Sequence, residues 1–485
     1  MSRINSNVPS LVAQRHLTVA QRALGLSLER LASGLKINRG ADDPAGLIVS
    51  ERLRSEIGAV NQAINNSSRA INVIATTEGA LNEVAALLID IQALLVEAAN
   101  SGAFSDEEIA ANQLQIDSSI DSINRIANTT TFAGRKLLNG ELDYVTSGVA
   151  TTKLADVKVL GAKFGSQPYV AVNVSVSLSA QQAQLSFSGP GLTASGATVD
   201  IAGPDGIITL SFPASATTVQ MVSAINAQVD TTGVKAVASG AGGVSGMRIF
   251  SAEYGSDAFV SVRRISGTFT TKNRAGQTVP RTEGRDAQAT INGVATTADG
   301  LALSISTGNL NTEVMLAEAF GNGSTGLTGT LGQSTFAITE GGALFQLGPQ
   351  VNTNLQENIG VQSLQANKLG NAIVGYLSEL RSGQSKSLNS GNFKPASDVV
   401  SKVITQVAVL RGRLGAFERN TLQPNIAQLQ ITAENLSSSE SVIRDTDFAV
   451  ETSELTRAQI LVQAGNSILA IANAQSQNVL TLLGG

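Results

Sequence analysis

The sequence predicts an α+β fold in which the two chain ends form a long antiparallel coiled-coil helical bundle, with a β-rich outer region inserted between them. Near both ends, apolar residues recur at steps of four and three, which is the spacing of one face of a packed helix. Glycines concentrate in the middle of the chain, where apolar and polar residues alternate as in half-buried strands. Aromatic residues make up only 4% of the chain, so its cores must be mainly aliphatic.

The C-terminal segment is uncharged and strongly apolar. Arg457 is the last charged residue, and large aliphatic residues follow it around most of the predicted helix. Such a helix needs neighbours on every side, and asparagine and glutamine residues interrupt it too often for a membrane span of about 18 apolar residues. We therefore expect it to pack against other copies of the chain, through residues that include Leu461, Ile468, Ile471, Val479 and Leu482.

The N-terminal segment carries a matching leucine stripe with a seven-residue repeat. This repeat is typical of coiled-coil strands. We expect its members to be assembly residues as well, and they are Leu17, Leu24, Leu28, Leu31 and Leu35.

Further helices are predicted inside these ends. Asp43 before Pro44 indicates an N-cap followed by proline at the first helical position. The stripe that follows comprises Leu53, Ile57, Val60, Ile64, Ser67, Ile71, Ile74, Glu78, Leu81, Ala85 and Leu88.

Two more helices complete the predicted bundle. Ser105 and Glu108 have the spacing of a capping box at the start of one, which should fold back antiparallel. The other is expected near 397–422, and Pro424 should bend or break it.

The middle of the chain is expected to contain strands and one helix. Val170 to Leu178 alternate strictly between apolar and polar residues. Short, glycine-bounded strands are predicted at 197–203, 206–212, 246–252 and 258–265, and Val219, Val222, Ile225 and Val229 indicate a helix among them.

These patterns divide the chain into discontinuous domains. We expect a core helical domain from 1–42 with 448–485, and a helical bundle domain from 43–140 with 345–447. Residues 141–344 form the inserted variable region, with a small β module near 196–265.

Composition excludes several functions. The net charge of −5 without a basic run disfavours a nucleic-acid surface or a polybasic membrane patch, and the absence of cysteine excludes thiolate chemistry. His16 is the only histidine and has no obvious carboxylate partner. We expect a protein that is not an enzyme, with no catalytic, cofactor-binding or metal-binding residues. Carboxylate-only hydrolysis in the insert is the remaining enzymatic alternative.

Two pairs of neighbouring carboxylates are candidate metal ligands. Asp42 with Asp43, and Asp445 with Asp447, could hold a cation. Aspartate beside a helix start is more often a cap, which is the interpretation we prefer.

Several long motifs resemble those of bacterial flagellins, the subunits of the flagellar filament. They lie within about 1–140 and 345–485 and occur in the family's order. The motifs are LERLASGLKIN at 28–38, the DDPAG loop, TFAGRKLLNG at 131–140 and DTDFAVETSELTRAQILVQAGNSILAIANAQSQNVL at 445–480.

The resemblance implies a structural protein that self-assembles into an extracellular filament for swimming. It implies export while unfolded through the flagellar type III system, which agrees with an N-terminus that lacks a signal-peptide pattern. Its implied partners are other copies of itself, an export chaperone at the C-terminal helix, the filament cap and hook-associated proteins. No cofactor, nucleic acid or membrane span is implied.

Two alternatives remain open, and one departure from the family stands out. A hook-filament junction protein shares the terminal helices, and an adhesive surface protein could rest on the β insert. Flagellins detected by the animal innate receptor carry an arginine and a glutamate on the long helix, whereas this chain has Asp90 and Ala93 there. We expect weak recognition by that receptor.

Overall fold

The computed structural model of the chain contains two compact units, each formed by discontinuous segments. It describes residues 7–100, 102, 105–165, 167–189, 191–192, 196–239, 246–321, 332–391 and 393–483, without the side chains of 319, 321 and 476–483. The first unit comprises residues up to Ser68, the short segment Leu347–Val351, and Leu422 onward. The second comprises Arg69–Gln346 and Asn352–Thr421.

Helices dominate both ends of the chain, and short helices occur in the middle. The α-helices are α1 (Val8–Ser33), α2 (Pro44–Ala99), α3 (Asp106–Thr129), α4 (Thr218–Asn226), α5 (Val229–Thr232), α6 (Glu318–Gly321), α7 (Phe393–Phe417), α8 (Gln423–Arg444) and α9 (Phe448–Leu483). A π-helical turn, Glu418–Leu422, links α7 to α8, and 3-10 turns occupy Thr353–Leu355, Leu377–Leu380 and Leu388–Ser390.

The predicted helix starts are confirmed. The Asp43 Oδ1 atom accepts a hydrogen bond from the Gly46 N–H at 2.9 Å, and α2 begins at Pro44. Ser105 and Glu108 exchange both hydrogen bonds of a capping box at α3. These contacts satisfy backbone donors that a helix start leaves free.

The predicted interruption at Pro424 is also present. The chain leaves α7 through the π-helical turn, and Pro424 occupies the first turn of α8. Proline has no N–H to donate to the preceding turn, so it is tolerated at a helix start and not in a helix interior.

The buried stripe of α2 differs from the predicted one at every second position. Val60, Ile74, Leu81 and Leu88 are buried as expected. At the positions between them, the buried residue is the one immediately before the predicted residue. These buried residues are Ala63, Ala70, Thr77 and Val84. The observed stripe advances by three and then four residues from Val60, whereas the prediction used four and then three; both spacings follow one face of a helix, and the packing partner decides between them.

In the second unit, α3 and α7 each bury one apolar stripe. Ile116, Ile120 and Ile123 of α3 are completely buried. The stripe of α7 comprises Val400, Val403, Val407, Leu410 and Leu414. A Cβ atom at Gly415 would lie 3.6 Å from the Glu78 Oε1 atom, so the end of α7 lies beside α2.

Strands fill the region between α3 and α7. They are β1 (Thr131–Phe132), β2 (Arg135–Lys136), β3 (Tyr144–Ser147), β4 (Leu154–Ala162), β5 (Val170–Leu178), β6 (Gln184–Ser188), β7 (Ala197–Gly203), β8 (Gly206–Phe212), β9 (Val234–Ser239), β10 (Gly246–Ser251), β11 (Phe259–Ser266), β12 (Thr271–Lys272), β13 (Arg281–Glu283), β14 (Gln288–Ile291), β15 (Val294–Ala295), β16 (Thr297–Asp299), β17 (Ala302–Ser306), β18 (Leu310–Leu316), β19 (Gly332–Gly341), β20 (Ala343–Gln346), β21 (Gln356–Ile359), β22 (Gly370–Asn371) and β23 (Gly375–Tyr376). The predicted strand at 170–178 and those of the glycine-bounded segments are confirmed.

The first β module, residues 144–180 with 287–341, contains two antiparallel sheets. One has the strand order β15-β14-β5-β19-β3 and the other β16-β17-β18-β4. Their buried residues form one hydrophobic cluster that includes Val174, Ile291, Leu303 and Ile338. The strands alternate between buried and exposed residues, as the sides of a shared core require.

The second β module, residues 181–285, is inserted into the first. Its sheets have the orders β12-β6-β10-β9 and β13-β11-β7-β8. Its hydrophobic cluster is separate from that of the first module and includes Leu185, Val199, Met221 and Ile249. Helix α4 therefore contributes to this core, as the sequence predicts.

The two β modules are joined by a short double connection with dense hydrogen bonding. The backbones of Gln181 and Arg285 exchange two hydrogen bonds, at 2.7 and 2.9 Å. Asp286 accepts hydrogen bonds from the Ser256 hydroxyl at 2.6 Å and from the Gly300 N–H at 2.8 Å. The pKa of Asp286 is lowered: although burial opposes the shift, the hydrogen bonds from Ser256 and Gly300 outweigh it.

Candidate assembly surfaces

Helices α1 and α9 lie against each other in antiparallel orientation within the first unit and are called the terminal pair below. Near one end of the pair, the Asn7 amide donates to the Ala472 carbonyl at 3.0 Å. Near the other end, Arg30 forms an ion pair with Glu451 at 3.4 Å, largely shielded from solvent. The chain ends are therefore held side by side along the length of α1.

The facing sides of the terminal pair carry small residues and follow a regular repeat. Buried and half-buried positions recur at steps of four and three along both helices. On α1 they are Ala13, Leu17, Ala20, Leu24, Ser27 and Leu31, and on α9 they are Glu451, Leu455, Ala458, Val462, Gly465, Leu469 and Ala472. A Cβ atom at Gly465 would lie 3.3 Å from the Leu17 Cδ1 atom, so glycine permits the close approach of the two helices.

The predicted assembly residues of α1 divide between its two sides. Leu17, Leu24 and Leu31 lie on the side that faces α9, whereas Leu28 is exposed. The expectation that Leu35 continues the helix is wrong, because Gly34 adopts a left-handed conformation and ends α1. Leu35 instead forms a β-bridge with Asp445.

The predicted assembly residues of α9 lie on its uncovered sides. Leu461, Ile468 and Ile471 are 51%, 56% and 67% exposed. The side chains of Val479 and Leu482 lie outside the described residues. Val462 and Leu469, which lie on the side of α9 that faces α1, were not predicted as contacts. A helix that is apolar all round does not reveal which side its first neighbour covers.

Exposed apolar residues also occur on α1, so the surface of the terminal pair is apolar on both helices. Those of α1 are Val8, Leu11, Val12, Val19, Leu26 and Leu28. Those of α9 include Phe448, Val450 and Ile460, in addition to the residues above. Exposed large aliphatic side chains in this number, close together in sequence on paired helices, are typical of protein interaction sites.

The loop between α1 and α2 is tied to the loop between α8 and α9. The Lys36 N–H donates to the Arg444 carbonyl, and the Thr446 N–H donates to the Gly34 carbonyl at 3.0 Å. Asp42 accepts from the backbone N–H groups of Arg39 and Asn38, and these bonds lower the pKa of its carboxyl.

The aspartates considered as metal ligands have structural partners. Asp43 caps α2, and the Asp447 Oδ1 atom accepts hydrogen bonds from the Ala449 and Val450 N–H groups at the start of α9. The Asp445 carboxylate accepts from the Ser441 hydroxyl. The prediction of helix capping is confirmed for Asp43 and Asp447.

Helices α2 and α8 also pack within the first unit. Val60 and Ala63 contact Leu429 in a small hydrophobic cluster. The Asn425 amide donates to the Ser67 hydroxyl at 3.1 Å and to the Leu347 carbonyl at 2.9 Å. Arg444 pairs with Glu51 at 3.2 Å, so the two helices run antiparallel.

By length and composition alone, α2 is apolar enough to cross a membrane, and it is the only such helix among the described residues. Core helices of soluble proteins meet the same criterion. Leu81, Leu88 and Leu95 of α2 are buried within the protein.

The residues predicted to correspond to the innate-receptor region lie on an open face of α2. Asp90 and Ala93 are both exposed. Ile89 and Val96 beside them are exposed as well. This face is therefore accessible in the single chain.

The chain combines an exposed apolar terminal pair with an inserted β-rich middle, an architecture of the structural, non-catalytic kind whose family the sequence matches identify. The chain matches the bacterial flagellin N-terminal helical region over residues 4–143 and the C-terminal helical region over 397–483. A flagellin hook IN motif matches 198–253, inside the second β module. Similar proteins include the flagellin of Salmonella rubislaw, 31% identical with 99% of each chain covered, and flagellin A of Vibrio cholerae, 27% identical with 99% of each covered.

The chain belongs to the bacterial flagellin family and is a structural subunit of the flagellar filament, which serves motility. Similar solved structures include the flagellar cap protein FliD of Escherichia coli, at 21% identity and TM-score 0.30, covering 46% of this chain and 64% of that one. FliC of Burkholderia pseudomallei has 16% identity and TM-score 0.23, with 72% and 99% covered. The family assignment rests on the sequence matches.

Proposed function

We propose that the terminal pair is the contact surface through which this filament subunit joins its neighbours. The observation that supports this most directly is the exposure of large aliphatic side chains on α9, among them Leu461, Ile468 and Ile471. Removing such side chains from water stabilises an assembly by about 1.5 to 3 kcal/mol each. A subunit therefore gains most by adding to an existing tube.

The two helices form a coiled coil whose open sides become covered in the filament. The repeat of small and aliphatic residues between α1 and α9 supports this packing. A pair with so much exposed apolar surface is only marginally stable alone. We infer that the ends fold fully only during assembly, which couples folding to polymerisation.

The contact surface can be tested by seeded polymerisation. We expect the double variant Leu461→Ser with Ile468→Ser to be incorporated onto filament seeds at least about tenfold more slowly, because two buried aliphatic contacts are lost. Ile207→Ser is the matched control, since Ile207 is 62% exposed in the second β module. Light scattering and electron microscopy measure growth.

Two results would contradict these ideas. Growth of the double variant at the control rate would show that these side chains do not lie between subunits. Full protease protection of residues 1–40 and 450–485 in the dilute monomer would show that the chain ends fold without assembly.

We propose that the chain is organised in layers from its ends to its middle. Residues 1–42 with 448–485 form the filament core, and 43–140 with 345–447 form the surrounding bundle. Residues 141–344 form the outer region, and the small β module expected near 196–265 is the second β module, residues 181–285. The separate hydrophobic clusters of the two β modules support an insert that folds on its own core residues.

The exposed apolar surface of α9 also implies protection before assembly. We propose export of the unfolded chain by the flagellar type III route, with a chaperone covering the C-terminal helix in the cytoplasm. The filament cap and the hook-associated proteins are the expected partners at the ends of the extracellular tube. The role is structural and not catalytic.

We further propose that the animal innate receptor recognises this subunit weakly. Asp90 and Ala93 stand where recognised flagellins have an arginine and a glutamate, so one charge is reversed and another is missing. The double variant Asp90→Arg with Ala93→Glu should lower the concentration needed for half-maximal response in a receptor reporter cell by about tenfold or more. Full potency of the unchanged chain would contradict the proposal, and Asp230→Arg is a charge control on an exposed residue.

A further inference from the structure

One sheet of the second β module carries an unusual concentration of positive charge on its outer face. The sheet has the order β12-β6-β10-β9. Its inner face carries Leu185, Met247 and Ile249, which belong to the module's core. The outer face, together with the turn after β12, carries Lys235, Arg248, Lys272 and Arg274, all of them exposed, and they are called the basic face below.

The strand register brings these cations together. Arg248 lies opposite Ser186 on one neighbouring strand, and Ser186 lies opposite Lys272 on the next. Arg248 and Lys272 therefore lie two strands apart, roughly 10 Å along the sheet. On the other side, Lys235 lies opposite Phe250, two residues from Arg248 on the same face.

The basic face lacks counter-ions among the described residues. None of its cations belongs to an ion pair there, whereas Arg263 and Arg281 on the other sheet pair with Asp200 and Glu283. The Arg274 guanidinium lies 3.4 Å from the Gln182 carbonyl. Partial burial, and secondly the positive charges of Arg248 and Arg285, lower the pKa of Arg274.

We propose that the basic face binds linear polysaccharides that carry repeated sulfate or carboxylate groups. Arginine forms bidentate hydrogen bonds with such planar or multi-oxygen anions, and the roughly 10 Å spread of the cations suits a chain with repeated charges better than a single small ion. Val237 lies opposite Arg248 and is 44% exposed, which places one apolar side chain beside the charges. The C–H face of a sugar ring can cover such a side chain.

This assignment goes beyond the role of filament subunit. Binding by the single chain depends only on the sheet itself. Display on the outside of the tube rests on the proposed layered organisation, and there the repeated copies would bind one polysaccharide together and gain avidity. The overall charge of the chain is −5, so the positive face is a local feature that the composition conceals.

The test uses the full-length monomer in dilute solution with immobilised heparin, alginate and neutral dextran. We expect heparin or alginate to bind and dextran not to bind, with affinity falling steeply between about 50 and 200 mM salt. Comparing heparin with alginate separates sulfate from carboxylate recognition. The variant Arg248→Gln with Lys272→Gln should weaken binding about tenfold or more, because two charge-assisted contacts are lost.

A matched control removes the same charge from the other sheet. Arg264→Gln with Arg281→Gln should bind as the unchanged chain does, since both residues are exposed on β11 and β13. Equal losses in the two double variants, or no binding of heparin and alginate, would overturn the proposal. Equal affinity for a single-stranded DNA of matched charge would overturn the assignment to polysaccharides.

Two further measurements distinguish polysaccharide binding from misfolding and from a contact between copies of the chain. Circular dichroism and seeded growth check that the double variant is folded and still assembles. Loss of filament growth with heparin binding retained would assign the basic face to a contact between copies, and would overturn the proposal without affecting the role of the terminal pair.

Discussion

Small residues of α9 lie at its contact with α1 in the terminal pair. Gly465 lets Leu17 approach closely, and Ala458 and Ala472 continue the same side of α9. The large aliphatic residues divide between two sides, because Leu24 lies between the helices whereas Leu461 is exposed. The exposed ones provide apolar area that a neighbouring molecule can cover.

Asp143 provides a residue-scale prediction about pH. Burial raises the pKa of its carboxyl, against the opposing influence of the Tyr144 N–H, Lys368 and Arg413. The folded state therefore holds the proton more tightly than the unfolded state. The protonated Asp143 carboxyl therefore contributes to the free energy of unfolding. This contribution is fully present below the ordinary pKa of 3.8 and is lost as pH rises through the raised pKa of the folded state.

We therefore expect Asp143→Asn to raise the free energy of unfolding of the second unit at pH 7, with the difference shrinking towards pH 4 or so. Urea unfolding at several pH values measures this. Asp230→Asn, at an exposed position, should leave the free energy of unfolding unchanged across the range. A difference for Asp143→Asn that grows on acidification would contradict the prediction.

Among the elements, the break between α7 and α8 shows how one proline is accommodated. The π-helical turn before it changes the hydrogen-bond spacing, and Asn425 then fixes the start of α8 to other segments of the first unit. Turns of this kind inside helices are rare and are often retained for a purpose. Here the turn lets a long helical segment continue past Pro424.

We expect Asn425→Ala to lower the free energy of unfolding of the first unit by about 1 to 3 kcal/mol, because the Leu347 carbonyl and the Ser67 hydroxyl lose a hydrogen-bond partner. Urea unfolding followed by circular dichroism measures the change. Gln428→Ala, one turn further along at an exposed position, should change it by less than about 0.5 kcal/mol. Equal effects of the two variants would contradict the role of Asn425.

At the same scale, local sequence signals predicted where helices and strands occur better than they predicted which of these elements contact each other. Caps at Asp43 and Ser105, and the alternation from Val170, depend on neighbouring residues and were predicted correctly. The side of α9 that faces α1 was not predictable, because Leu461 and Val462 are equally apolar and only the partner decides between them. Likewise, the pairing of β14 with β5 crosses the whole second module, and no local pattern encodes it.

The whole chain combines helical ends with an inserted β-rich middle. Both β modules belong to one insertion, since β3 and β19 pair where the chain leaves and rejoins the helical part of the second unit. Ser147 lies opposite Ala337 in that pair. Within the described part of the chain, the residues of the two module cores all lie outside the long helices.

We expect a chain in which an Asn-Gly turn replaces residues 148–336 to grow onto filament seeds at a rate within about threefold of the full chain, because such a turn can close the β3–β19 pair. Electron microscopy and sedimentation measure incorporation. A chain lacking 450–485 is the negative control and should not be incorporated. Failure of the first deletion, with its helices intact by circular dichroism, would show that the insert takes part in assembly.

The pairing of Tyr144 with Gly341 has a practical consequence. Directly opposite residues of an antiparallel pair have Cα atoms only about 4.5 to 5.5 Å apart. A foreign domain whose own termini meet at a similar distance can be grafted between these two points without straining the host. Bacteria that swim with such grafted filaments would carry enzymes or antigens in a dense, ordered array.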